Sequence, residues 1–97
     1  MTQPTTKSNK VNFGQIDSLR RHMLLTVSDM AKVLGISRET YYTWLSGDGY
    51  PRPKREVYVK KRVRQLLYLL TEKEWPRPDV IAAAPRERLG KLLEVID

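Results

Sequence analysis

The sequence predicts an all-α domain, on three observations. Polar residues suited to helix caps stand one step ahead of segments whose apolar side chains recur at helical spacing. Gly35, the stretch from Gly47 to Pro53, and Trp75 to Pro78 punctuate those segments. The chain of 97 residues is of single-domain length. At that size about 60 to 65% of the unfolded surface can be buried, so stability is marginal and self-association would add to it.

The elements follow in order. Residues 1–11 are polar, rich in Thr, Ser, Asn and Gln with Lys7 and Lys10, and read as a disordered N-terminal tail. Asn12 and Gln15 have the spacing of a helix cap, with Val11 and Ile16 as its apolar staple. Phe13, Ile16, Leu19 and His22 or Met23 then continue one helical face, so a first helix is expected at residues 12 to 24. Thr26 and Asp29 fit a capping box, stapled by Leu25 and Met30, and open a second helix whose buried face is Met30, Ala31 and Leu34. Gly35 stands where a left-handed residue ends that helix. Ser37 caps a third, stapled by Ile36 and Tyr41, with Tyr41, Trp44 and Leu45 as its buried side. Two helices joined by so tight a corner must cross steeply around one small core.

The pattern from Leu25 to Gly47, LTVSDMAKVLGISRETYYTWLSG, resembles the helix-turn-helix of the Cro and lambda-repressor family, the Xre-like transcriptional regulators of bacteria and phages. Ala31, Gly35, Ile36 and Ser37 fall at the four positions that most constrain the turn. The resemblance spans about 23 residues, or about 35 if residues 12 to 24 supply the family's first helix. It departs at Val27, where the family often has a Gln that contacts the DNA backbone; that contact passes to Thr26, Ser28 or the main-chain amides. The resemblance implies a lambda-repressor-like fold of about five helices that presents the helix at about 37–46 to the DNA major groove.

Charge is distributed to match. The net charge is +7, and the 13 residues from Arg52 to Arg64 supply +6 of it, with seven basic side chains against Glu56 alone. A charge run of this kind is ordinarily a solvated helix face. Here it directly follows the third helix, and in the family this segment lies along the DNA backbone. With Tyr41, Trp44 and Leu45 buried, Ser37, Arg38, Glu39, Tyr42 and Thr43 face outward as the candidate base-reading set. Arg38 pairs with guanine, Glu39 accepts from cytosine or orders Arg38, and Tyr42 and Thr43 meet a thymine methyl or a phosphate. Thr26, Ser28, Ser46, Arg52, Lys54, Arg55 and Lys61 are the candidate phosphate contacts. Neutralising about six phosphates implies a log–log salt slope near −5.

Downstream, Pro53 suits the first position of a long fourth helix reaching about Glu74, so that residues 12–74 form the DNA-binding domain. Val59, Val63, Leu66, Leu67 and Leu70 make its stripe, while Tyr58, Tyr68 and Leu69 lie outside it. Trp75-Pro76-Arg77-Pro78 breaks this helix, and Pro85 favours the start of an amphipathic C-terminal one with Leu89, Leu92, Leu93 and Ile96 on one face. Residues 75–97 thus form an extension that either folds back within the chain or meets a second copy. Tyr58, Tyr68, Leu69, Leu89, Leu92, Leu93 and Ile96 are the candidate dimer or partner contacts. Tyr50 to Pro53 and Trp75 to Pro78 share an aromatic-Pro-Arg-Pro motif, but their flanks differ and they read as two similar helix breaks.

Other chemistries find no footing. The chain has no cysteine and one histidine, His22, so neither a disulfide, a metal site nor a cofactor is expected. Asp17 with Arg20 and Arg21, and Glu87 with Arg88 and Lys91, read as surface helical pairs. Gly47-Asp48-Gly49 lacks the further ligands of a calcium or nucleotide loop. No serine or cysteine is placed to use His22, so enzymatic activity is not expected. No apolar run approaches the roughly 18 residues of a membrane span, and the expected setting is cytoplasmic and DNA-associated. Nothing in so short a chain points to a ligand pocket. The resulting expectation is a dimeric repressor binding half-sites about 34 Å apart. The alternatives are a DNA-binding antitoxin with a toxin partner and a DNA-targeting accessory factor of recombination or transposition.

Overall fold

The structure, a computed structural model, describes residues 11–96. It is all-α: α1 Phe13–His22, α2 Val27–Leu34, α3 Arg38–Ser46, α4 Pro53–Glu72, α5 Pro78–Ala82 and α6 Pro85–Ile96. The expected tail, residues 1–11, lies outside the described residues except for Val11, which packs against the core.

Local hydrogen bonds explain the first three helices. Asn12, Thr26 and Ser37 are their N-caps, accepting from the backbone N–H of Gln15, Asp29 and Thr40. Each satisfies a donor that a helix start leaves orphaned. Thr26 and Asp29 close a full capping box, since the Thr26 N–H also donates to the Asp29 carboxylate. Gly35, at φ 74°, and Gly47, at φ 87°, end α2 and α3 in the left-handed region, where a side chain costs about 1 to 2 kcal/mol. The helices after the loop start differently. α4 and α5 each begin on a proline, Pro53 and Pro78, with no side-chain cap.

One core joins all six helices. It comprises Phe13, Ile16 and Leu19 of α1, Met30, Ala31, Val33 and Leu34 of α2, Tyr41 of α3, Val59, Leu66 and Leu69 of α4, Val80 of α5 and Leu92 of α6, with Met23, Leu25 and Trp75 from the connections. Phe13 sets α3 on α1 through edge-to-face contacts with Tyr41, at 4.9 Å, and Trp44, at 5.5 Å. Trp75, 52 residues from Met23 in sequence, donates its indole N–H to the Met23 carbonyl at the end of α1. The extension from residue 75 therefore folds back on its own chain.

Several expectations change. There are six helices among the described residues rather than about five, because α5, a single turn between two prolines, bears no periodicity from which to predict it. Leu45 and Leu67, expected inside, are 36% and 45% exposed. Leu69 and Leu92, expected on a dimer contact, lie in the core of their own chain. Asp17, expected in a surface pair, is buried. Its carboxylate accepts from Arg20 Nε at 2.9 Å, Arg21 Nη2 at 2.8 Å and the Tyr41 hydroxyl at 2.7 Å.

Candidate functional site

α2, its turn and α3 form a helix-turn-helix corner that α1 braces from behind. Tyr41 is the pivot, buried and bonded through its hydroxyl to Asp17 of α1. Arg20 holds Asp17 on one side and donates to the Leu25 carbonyl at 3.0 Å on the other, so the guanidinium also fixes the entry to α2. The Arg20 hydrogen bond, opposed by burial and assisted by Tyr41 and Arg21, holds the Asp17 carboxyl at about 2 against the usual 3.8. Burial, then the bond to Asp17, pushes the Tyr41 phenol up. The phenol thus stays a donor to Asp17 throughout the neutral range.

With Tyr41 inward, α3 turns Arg38, Glu39, Tyr42 and Thr43 to the outside. Arg38 and Glu39 form its first turn, and their side chains make no hydrogen bond or ion pair among the described residues. Tyr42 is 50% exposed, its ring edge-on to Tyr41 at 6.1 Å. The hydroxyls are less available than their exposure suggests. Ser37 accepts from the Thr40 N–H and donates to the Thr40 hydroxyl, each at 3.0 Å. Thr43 donates to the Glu39 carbonyl at 3.0 Å, and its methyl lies towards Gly49, 3.2 Å from where a Cβ on that glycine would stand. Ser46 is tied to the Thr43 carbonyl and to Asp48, at 2.9 Å from that carboxylate, a setting that disfavours an anionic partner.

Beside α3 runs a cleft of about 400 Å³ between the turn, α3 and the start of α4. Gly35, Thr40, Trp44, Tyr50, Arg52 and Arg55 line it. Gly35 matters here twice. Its φ of 74° needs glycine, and a Cβ at that position would stand 2.9 Å from Arg55 Nη1. The absent side chain lets the guanidinium lie against the turn. Thr26 and Ser28 sit at the start of α2, with the Thr26 hydroxyl oxygen spent on its cap. Lys54 is exposed on the first turn of α4. Chemically this edge can hold an extended anion while the polar face of α3 presents donors and acceptors.

The basic run does not act as one patch, because α4 is helical through it and successive residues turn by about 100°. Arg52 and Arg55 line the cleft beside α3, whereas Lys61 and Arg64 line a groove against the end of α6. Tyr58, placed with the dimer contacts, is half-buried, with the guanidinium groups of Arg55 and Arg62 over its ring at 5.9 Å and 5.4 Å and Arg62 Nε donating to its hydroxyl. Tyr68 is 53% exposed, and Leu89, Leu93 and Ile96 are half-buried. Sequence reasoning overlooked Thr40 and Tyr50 as cleft residues and Arg20 as the brace. Asp17 followed by arginines three and four positions on was the available signal, but the same spacing marks surface pairs.

His22 is exposed at the end of α1, its Nδ1 at 2.9 Å from the Ser18 carbonyl. Among the described residues no three His, Cys, Asp or Glu side chains converge as metal ligands, and no helix is long and apolar enough to cross a membrane. No family model, curated protein or solved structure matches this chain. The resemblance to Xre-like regulators rests on the residues from Leu25 to Gly47.

Proposed function

We propose that the chain is a sequence-specific double-stranded DNA-binding regulator that inserts α3 into the major groove. The observation that carries this reading is the placement of Arg38, Glu39 and Tyr42 on the open face of a firmly braced helix whose flank is the Arg52–Arg55 cleft. Arg38 and Glu39 occupy the first turn, the part of a recognition helix that reaches base edges. Arg38 takes up guanine, Glu39 accepts from cytosine, and Tyr42 and Thr43 meet a thymine methyl or a phosphate. Arg52, Lys54 and Arg55 hold phosphates, and Thr26, Ser28 and the amides at the start of α2 complete the grip. Two copies on adjacent half-sites supply the base pairs that specificity needs, and occupancy of a promoter is enough to repress it.

Selection of binding sequences from a random duplex pool tests the proposal. A defined half-site is expected, with relaxed preference in Arg38→Ala and Glu39→Ala at about 1 to 3 kcal/mol per lost base contact. Arg52→Glu with Arg55→Glu should weaken binding to all sequences alike. About three phosphates neutralised per copy give a log–log salt slope of about −5 for two copies. Absence of any enriched sequence, or variants that bind as the parent does, would sink it.

A further inference from the structure

The C-terminal half of α4 and the end of α6 enclose a groove of about 740 Å³ that the DNA-binding reading does not use. Its floor is apolar, built from Leu69, Trp75, Val95 and Ile96. Leu69 and Trp75 are buried parts of the core. Gln65 Nε2 donates to the Ile96 carbonyl at 3.2 Å and fixes the separation of the two helices. The groove is thus held by the fold itself, within the size range of sites for small organic ligands, about 300 to 1,000 Å³.

Its rim is cationic. Lys61 and Arg64 stand on α4, and Lys73 and Arg77 border the Trp75 side. No carboxylate lines it among the described residues. Lys73 sits over the Tyr68 ring at 5.8 Å and Arg77 over Trp75 at 5.6 Å, so two of the charges are already seated on aromatic faces at the groove. Asp79 pairs with Arg77 through the guanidinium Nε, at 3.3 Å from outside the lining, and offsets part of that charge.

We propose that this groove binds an organic anion with an apolar body, of the size of a medium-chain carboxylate. The apolar floor takes the body and the rim takes the carboxylate. A nucleic-acid backbone suits the site poorly, since it gains nothing from a floor of Leu69, Val95 and Ile96. A second copy docked symmetrically here would set four cations against their own kind. The proposal is independent of the reading of α3.

Titration of the full chain with dodecanoate, in a Trp44→Phe background so that Trp75 alone reports by fluorescence, tests it. Saturable binding below millimolar concentration is expected, at least tenfold tighter than that of uncharged dodecanol. Lys73→Gln with Arg77→Gln should weaken dodecanoate at least tenfold and leave dodecanol unchanged. Ile96→Glu should abolish both. Arg38→Ala should bind dodecanoate normally whatever its effect on DNA, and circular dichroism melts confirm that each variant is folded. Equal binding of the charged and neutral probes, binding untouched by the groove variants, or a dimer that Tyr68→Glu dissociates would each overturn the proposal.

Discussion

The two halves of the molecule are held in different ways. From Asn12 to Gly47 each helix starts on a side-chain cap three residues from its bonding partner, and α2 and α3 end on a left-handed glycine. From Pro53 onward α4 and α5 start on prolines without such caps. The ties there are long-range, as in Trp75 to Met23 and Gln65 to Ile96, 31 residues apart. The first half is a set of corners with locally dictated geometry, which suits a helix that must present side chains in one orientation. The second half gains its form by closing on the first, and it leaves a groove where that closure is incomplete.

If the C-terminal half were a mere appendage, cutting its main tie would leave the corner untouched. Trp75→Ala removes the indole from the core and leaves the Met23 carbonyl without its donor, at an expected cost of about 3 to 5 kcal/mol. Urea unfolding followed by circular dichroism should show one cooperative transition at a much lower midpoint. A biphasic curve, with α1 to α3 surviving as a separate step, would break the comparison as drawn.

The first half also has a long-range hydrogen bond, Tyr41 to Asp17, and its effect is set by pH. Folding holds the Asp17 carboxyl at about 2, below its ordinary 3.8, so the folded state favours the charged form. The stabilisation is complete above about pH 4 and is lost as pH falls through about 2, a change on the order of 1 to 2 kcal/mol after allowing for solvent screening. Asp17→Asn should flatten that acid limb. Tyr41→Phe should cost about 1 kcal/mol at neutral pH and move the acid loss to higher pH, because one of three donors to the carboxylate is gone. Urea midpoints between pH 2 and 6 measure both effects, and an unchanged acid limb in Asp17→Asn would remove Asp17 as its source.

What the sequence discloses follows the same division. Caps, staples and terminating glycines are determined within four residues, so Thr26 with Asp29, Ser37, Gly35 and Pro53 mark the boundaries of α2, α3 and α4 directly. Burial across the fold is not local. Asp17 and its arginines have the spacing of a surface pair, and only the arrival of Tyr41 from 24 residues away makes the carboxylate a core acceptor. Likewise the basic run reads as one patch along the chain, while helical rotation sends Arg55 to the α3 cleft and Lys61 to the groove by α6. Leu69 and Leu92 look like surplus apolar surface until the C-terminal segment folds back and both enter the core.

The smallest effects have opposite signs at a capped start and an uncapped stop. Thr26→Ala removes half of the capping box and should destabilise by about 1 kcal/mol. The far end of α4 has no such device: after Lys73 the chain turns through Glu74 at φ 55°, a left-handed conformation held by a residue with a Cβ. Glycine there relieves about 1 to 2 kcal/mol of steric cost and adds back about 0.5 to 1 of unfolded-state entropy. Glu74→Gly should therefore raise stability by about 0.5 kcal/mol, since the exposed carboxylate has no packing to lose. A thermal melt of both variants resolves the signs. If Glu74→Gly instead lowers the midpoint, the turn after α4 is held by its own side chain, and the C-terminal half is more locally determined than its lack of caps implies.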